Sequence, residues 1–216
     1  PSPMSKKVSL REGKLIAIPS DIDKACDHLD LTENAIEDFS ILSKTTQLKR
    51  LILDKNGIKS LKGFPEIPSL QTLWLNNNQL SSITGVMDML KKKTPNLTYL
   101  SMMKNPLCPE MYFKDGSLDN AYKRYRLCII YMMPKLKLLD ATPVSNNERK
   151  KAQEQGENLY VMMRSDAEDD DGGEVEVILK KKFSPPKKPA AYLAKGHVRY
   201  HGAQSEGNRF ILNNEL

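Results

Sequence analysis

His28, Asp30 and Glu33 stand close together in the chain, and an imidazole beside two carboxylates is a donor set a divalent metal can use. All three belong to one surface repeat, so a solvated face is the expected role and no metal is expected. The three cysteines, Cys26, Cys108 and Cys128, are odd in number and carry no CxxC spacing. That predicts reduced thiols rather than a zinc site or a disulfide. Cys26 and Cys128 are expected to serve as packing. The other two histidines, His197 and His201, lie near the end, and no glycine-rich phosphate loop exists, Gly172-Gly173 falling in an acidic stretch. No cofactor is expected, and the chain reads as a non-enzyme.

The elements that position these residues come from a repeat. Leu29-x-Leu31-x-x-Asn34-x-Ile36 is followed by Leu51-x-Leu53-x-x-Asn56-x-Ile58, Leu73-x-Leu75-x-x-Asn78-x-Leu80 and Leu100-x-Met102-x-x-Asn105-x-Leu107. The asparagines are 22, 22 and 27 residues apart, and a weaker copy, Val8-x-Leu10-x-x-Gly13-x-Leu15, precedes them. This is the leucine-rich repeat pattern. The two flanking leucines share one side of a short strand and point into the core, while the residue between them points to the concave face. The asparagine amide can bond backbone groups where the chain turns. A single repeat cannot bury its own face, so stability comes from stacking.

After Leu107 the period breaks. Leu118–Tyr131 reads as a helix with an imperfect apolar stripe. Met133–Asp140 then carries Pro134-Lys135-Leu136, and Ser145–Gln155 reads as a polar helix. The Tyr-Arg, Pro-x-Leu and Leu-Asp pieces resemble the C-terminal cap of the 22-residue repeat class. The fold class is therefore α/β, a solenoid of about five leucine-rich repeats with a parallel sheet on the concave face, a helical cap and a largely disordered tail. The expected domains are repeats over 1–117, the cap over 118–159, a linker over 160–195 and a partner-binding tail over 196–216. The linker is acidic at Asp166–Asp171, basic at Lys180–Lys182 and proline-rich at 184–189.

Threading the repeat puts Arg50, Thr72 and Tyr99 in one row across the strands, Ile52, Trp74 and Ser101 in the next, and Asp54, Asn76 and Met103 in the third. The chain's single tryptophan thus stands on the concave face beside Ile52, Tyr99 and Met103, as an exposed apolar patch rimmed by charge. The plainer alternative is that Trp74 only packs on its lateral neighbours. The tail, Gly196–Leu216, returns to apolar residues at Phe210, Ile211, Leu212 and Leu216. Such groups have no core of their own and read as a linear docking motif, directed to a partner or back onto the solenoid.

Lys plus Arg (33) over Asp plus Glu (27) gives +6, all of it before residue 160. That excess is too mild for a dedicated polyanion binder. No apolar run approaches the roughly 18–20 residues of a membrane-spanning helix, and Pro1–Lys7 has no apolar stretch. A cytoplasmic chain without direct membrane insertion is expected, as a monomer.

The repeat Leu51-Ile-Leu-Asp-Lys-Asn56, the cap Tyr122-Lys-Arg-Tyr-Arg126 with Leu136–Ala141, and the tail Ser205-Glu-Gly-Asn-Arg-Phe-Ile211 resemble the leucine-rich melanocyte differentiation-associated protein family. The resemblance implies a non-catalytic adaptor for melanosome and lysosome-related organelle formation. It implies a Rab-family small GTPase as one partner and the Retriever part of the Commander endosomal sorting complex as another, with recruitment to endosomes or melanosome-type organelles. In that reading Arg50, Ile52, Trp74, Tyr99 and Met103 meet the first partner, and Asn208, Arg209, Phe210, Ile211 and Leu216 meet the second. No nucleic acid is expected. Two other readings stay open on the repeats alone: a subunit of a ribonucleoprotein, and a phosphatase or tubulin regulator.

Overall fold

In the computed structural model, residues 6–109 and 120–168 are described. Five parallel strands, β1 (Lys7–Ser9), β2 (His28–Asp30), β3 (Arg50–Ile52), β4 (Thr72–Trp74) and β5 (Tyr99–Ser101), stack in chain order. A sixth, β6 (Leu138–Leu139), continues them in parallel, and β7 (Thr142–Pro143) turns back antiparallel on β6. Helices α1 (Ile83–Lys93), α2 (Asn120–Met132) and α3 (Asn146–Glu168) complete the elements, with a 3-10 turn at Ser40–Lys44.

The strands are three residues long because the leucine repeat asks for no more. Their central leucines, Leu29, Leu51, Leu73 and Leu100, are in direct register and fully buried. Leu31, Leu53, Leu75 and Met102 follow them into the core. Behind them Phe39 and Phe64 meet with centroids 5.6 Å apart. The turn after each strand places a residue in the left-handed region: Glu12, Glu33, Lys55, Asn77 and Lys104, with φ between 54° and 60°. Each immediately precedes the asparagine position, or Gly13 in the first copy. That conformation costs an L-residue energy, so something must hold the turn.

The asparagines do. Asn78 Nδ2 donates to the carbonyls of Leu53 and Leu75, both at 2.9 Å, and its Oδ1 accepts from the backbone N–H groups of Asn56 and Ile58 at 3.0 Å. Asn34, Asn56 and Asn105 likewise donate to a strand carbonyl of the preceding repeat and accept from its N–H beyond the turn. Each amide therefore bolts two repeats together while satisfying buried backbone groups.

The cap closes the far end. Asp140 and Ala141 both take positive φ, 50° and 63°, which makes the tight hairpin turn that folds β7 back over β6. The β7 edge ends in Pro143, which has no N–H to offer another strand. Tyr122 and Tyr125 of α2 stack with centroids 5.5 Å apart, and both are buried. Arg126, 3% exposed, donates to Glu148 at 2.7 Å and to the Leu139 carbonyl at 2.9 Å. The Tyr-Lys-Arg-Tyr-Arg motif is thus a bolt between α2, β6 and α3.

The structure departs from or adds to the sequence reading at three places. The longest repeat spacing, to which the pattern alone assigned no element, holds a full helix, α1, capped by Ser82 accepting from the Gly85 N–H. The polar helix expected to end at Gln155 runs on to Glu168, into the stretch read as linker. Its start is a capping box, Ser145 and Glu148 each accepting from the other's N–H at 3.2 and 2.9 Å. Its extension is anchored by Tyr160, whose hydroxyl reaches the Asp88 carboxylate of α1 at 2.8 Å. α3 also lies so close to α2 that Gly156 is buried, with no room for a Cβ beside Tyr131. The third place, at Ile52, belongs to the concave face.

Candidate protein-docking face

The register places Arg50, Thr72 and Tyr99 in one row, and Ile52, Trp74 and Ser101 in the next. Trp74 and Tyr99 are each 40% exposed, so two aromatic rings stand open on neighbouring strands. Ile52 differs from expectation: it points to the concave side yet is 8% exposed, because the strand is central and its register neighbours, Asp30 and Trp74, flank it on both sides. The open apolar patch is accordingly narrower, carried by Trp74 and Tyr99 with a half-buried Met103, while Arg50 is exposed.

Below the aromatics the third row is a polar bracket. Asp54 accepts from the backbone N–H of Asn76 at 2.8 Å, and Asn76 Oδ1 accepts from Ser101 Oγ at 2.7 Å and from the Met103 N–H at 2.9 Å. Burial pushes the Asp54 carboxyl above its usual range, more than the Asn76 donors pull it down. This bracket fixes the backbone on which Trp74 and Tyr99 sit, a rigid frame suited to presenting aromatic anchors.

At the start of the strands the face changes character. Lys7, Asp27, His28, Lys49, Arg50, Gln71 and Thr72 line a groove of about 350 Å³. Lys7, His28 and Arg50 are direct register partners on three adjacent strands. Burial and then the cations of Arg50 and Lys7 hold the His28 imidazole below its ordinary pKa, against the opposite pull of Asp30 and Asp27. The grouping of His28 with Asp30 and Glu33 as metal donors is not what the geometry builds. Asp30 accepts from Thr32 Oγ1 at 2.6 Å and from its N–H at 3.0 Å, and Glu33 pairs with Lys55. Reasoning on sequence missed the groove because Lys7 and Lys49 look like ordinary surface charges. Stacking the five repeats in register was the signal that could have found it.

The thiols are packing groups: Cys26 and Cys128 are fully buried, and burial raises Cys128 to about 11. No described helix is long and apolar enough to cross a membrane. Asn208, Arg209, Phe210, Ile211 and Leu216, with the rest of the expected tail, lie outside the described residues, as does the expected linker beyond Glu168.

A parallel strand stack, turned at every repeat by a laddered asparagine, defines a leucine-rich repeat protein, and the leucine-rich repeat family model matches residues 14–159. Over 178 residues the chain is 34% identical to the human leucine-rich melanocyte differentiation-associated protein, covering 81% of this chain and 90% of that one. The chain belongs to the leucine-rich melanocyte differentiation-associated protein family. It is also 33% identical over 132 residues to U2 small nuclear ribonucleoprotein A' of Schizosaccharomyces pombe, covering 59% of this chain and 48% of that protein. Among solved structures, the crystal structure of the Drosophila melanogaster SNF/U2A' complex superposes with a TM-score of 0.56 at 23% identity, covering 71% of this chain and 85% of that one. That likeness is one of fold.

Proposed function

We propose that this chain is a non-catalytic adaptor with two ends. Its concave face holds a Rab-family small GTPase, and its C-terminal tail holds the Retriever part of the Commander complex. The observation that carries the first half is the pair of open rings, Trp74 and Tyr99, on a rigid frame in the middle of the sheet. Solvent-exposed tryptophan and tyrosine at the centre of a concave face match the anchors that dominate protein interfaces. The second half rests on the family resemblance of Ser205–Ile211 and on the returning apolar residues Phe210, Ile211 and Leu216. The GTPase, in this reading, recruits the adaptor to endosomes or melanosome-type organelles, and the adaptor works as a monomer.

The ribonucleoprotein reading draws support from the U2 small nuclear ribonucleoprotein A' relatives, of which the chain spans only about half. Asp30 and Asp54 stand on the same face as the cations. They oppose a polyphosphate along it, and an RNA surface calls for stacking aromatics interleaved with Lys and Arg.

The test is crossed. Trp74→Ala with Tyr99→Ala should weaken GTPase binding by about 2 kcal/mol or more, roughly 30-fold, and leave Retriever binding intact. Phe210→Ala should abolish Retriever binding and leave GTPase binding intact. Wild-type GTPase affinity in the double variant, with unchanged melting, would remove the concave face from the model. Loss of both activities in Phe210→Ala would end the independence of the two ends.

A further inference from the structure

Lys7 and Arg50 flank His28 in one row across three adjacent strands. Adjacent strands lie about 4.7–4.9 Å apart, so a cation stands on each side of the imidazole and disfavours its protonated form. The fold does little to relieve this row. Asp27 is the one carboxylate lining the groove, against Lys7, Lys49 and Arg50. Among the described residues, none of those three cations makes an ion pair within 4 Å. The groove is concave, about 350 Å³ in volume, large enough for a carboxylate side chain with its stem. It lies on the same row as Tyr99, with Arg50 and Tyr99 two strands apart, or about 10 Å at the usual strand spacing.

We infer that this groove receives the carboxylates of an acidic segment on the protein that occupies the concave face. The acidic residues would sit roughly three positions, at about 3.3 Å per extended residue, from the apolar residue that meets Tyr99 and Trp74. The inference rests on the proposed concave-face docking and adds to it the partner's chemistry. A short acidic segment fits better than a nucleic acid. The cations are confined to one end of the strands, and Asp30 and Asp54 stand further along the same face, where a polyphosphate track would have to continue.

A consequence for pH follows. In the free protein burial and the flanking Arg50 and Lys7 hold the imidazole of His28 low, with Asp30 and Asp27 pulling the other way. An incoming carboxylate favours the protonated form, so the bound state holds that proton more tightly. Binding must then strengthen as pH falls toward the His28 range, until the partner's own carboxylates protonate near pH 4–5.

The test uses the full chain with His197→Gln and His201→Gln, so that His28 is the single imidazole seen by NMR. The probe is a blocked peptide, Glu-Glu-Gly-Ser-Leu-Phe, beside its Gln-Gln counterpart and an oligouridylate. The acidic peptide should raise the His28 titration midpoint and bind several-fold more tightly at pH 6 than at pH 8; the Gln peptide should do neither. Lys49→Ala with Arg50→Ala should weaken the acidic peptide about three- to tenfold, the range for two exposed ion pairs. An unmoved His28 at millimolar acidic peptide overturns the inference, whatever the aromatics do. An oligouridylate that shifts His28 more strongly than the peptide overturns the choice of a carboxylate partner. If His28 shifts as expected but Trp74→Ala with Tyr99→Ala leaves peptide affinity unchanged, the anion groove stands and the aromatic docking reading falls.

Discussion

Gly156→Ala sets two effects of known size against each other. In an isolated helix the change should stabilise, because alanine is favoured over glycine by about 1 kcal/mol in a helix interior. In this protein a Cβ at that position would lie 2.3 Å from Tyr131 Cβ and 2.7 Å from Cγ. Neither atom is the free end of a flexible chain, so α2 and α3 must separate by more than an ångström. α2 is also held in the core by buried Tyr125, Cys128 and Ile129, so the shift cannot be absorbed locally. Overpacking of this kind costs about 1–3 kcal/mol, and a contact this short belongs at the upper end. Net destabilisation of about 2 kcal/mol is expected, which lowers Tm by about 4–8 °C in a chain of this size. Thermal unfolding followed by circular dichroism at 222 nm reads this directly. Tyr131→Ala removes the ring but leaves the Cβ, so it should not rescue Gly156→Ala. A Tm that rises in the single variant refutes the reasoning. Full rescue by Tyr131→Ala would move the obstacle from the backbone approach to the ring.

Asn78→Ala strands the carbonyl of Leu53 and the N–H groups of Asn56 and Ile58, each worth about 1–3 kcal/mol when left unsatisfied, while the Leu75 carbonyl keeps its bond from Asn105 Nδ2 at 2.8 Å. After relaxation a loss of about 3–5 kcal/mol in urea unfolding is expected, and a loss below 1 kcal/mol would show that water replaces the amide. Asn78→Asp should be no milder, since a buried carboxylate cannot donate. Asp140 is fully buried, and burial raises its pKa despite the Met102 N–H that it accepts at 2.8 Å. A raised folded pKa means stability is present below the unfolded value and is lost as pH rises through the folded one. Asp140→Asn should therefore gain on the parent protein as pH rises from 4 to 7, and a Tm difference constant over that window would count against it.

The repeat was legible because leucine and asparagine recur at the same places in each copy, so that each copy can be aligned with the next. Leu29, Leu51, Leu73 and Leu100 had to be central strand residues, and the row containing Arg50, Thr72 and Tyr99 followed by counting. Ile52 shows where counting stops. Its side of the sheet is fixed by alternation, but its exposure depends on residues 22 positions away on either side. α1 was missed because five extra residues between Asn78 and Asn105 show only that something was inserted. Ser82 and Gly85 name it once the helix is in view. The length of α3 was unreadable for a similar reason. Its continuation past Gln155 is held by Tyr160 on Asp88, a contact spanning 72 residues. The anion groove likewise appears only after Lys7, His28 and Arg50 are brought side by side.

The asparagine ladder has a missing rung. Gly13 stands where the later repeats place an amide, so the first repeat has no side chain of its own to clasp a neighbour and is held at its turn from one side, by Asn34 reaching the Leu10 carbonyl and the Leu15 N–H. In a quasi-one-dimensional stack each unit is stabilised by its neighbours, so opening should start here and move inward like a zipper, with hydrogen exchange fastest at β1 and slower toward β4. The basic groove straddles this loose end, drawing Lys7 from β1 and Arg50 from β3. An occupant that spans it would clamp the zipper shut. Its affinity would carry the cost of settling the first repeat, and exchange at β1 would slow on binding even though no partner atom touches that strand's core.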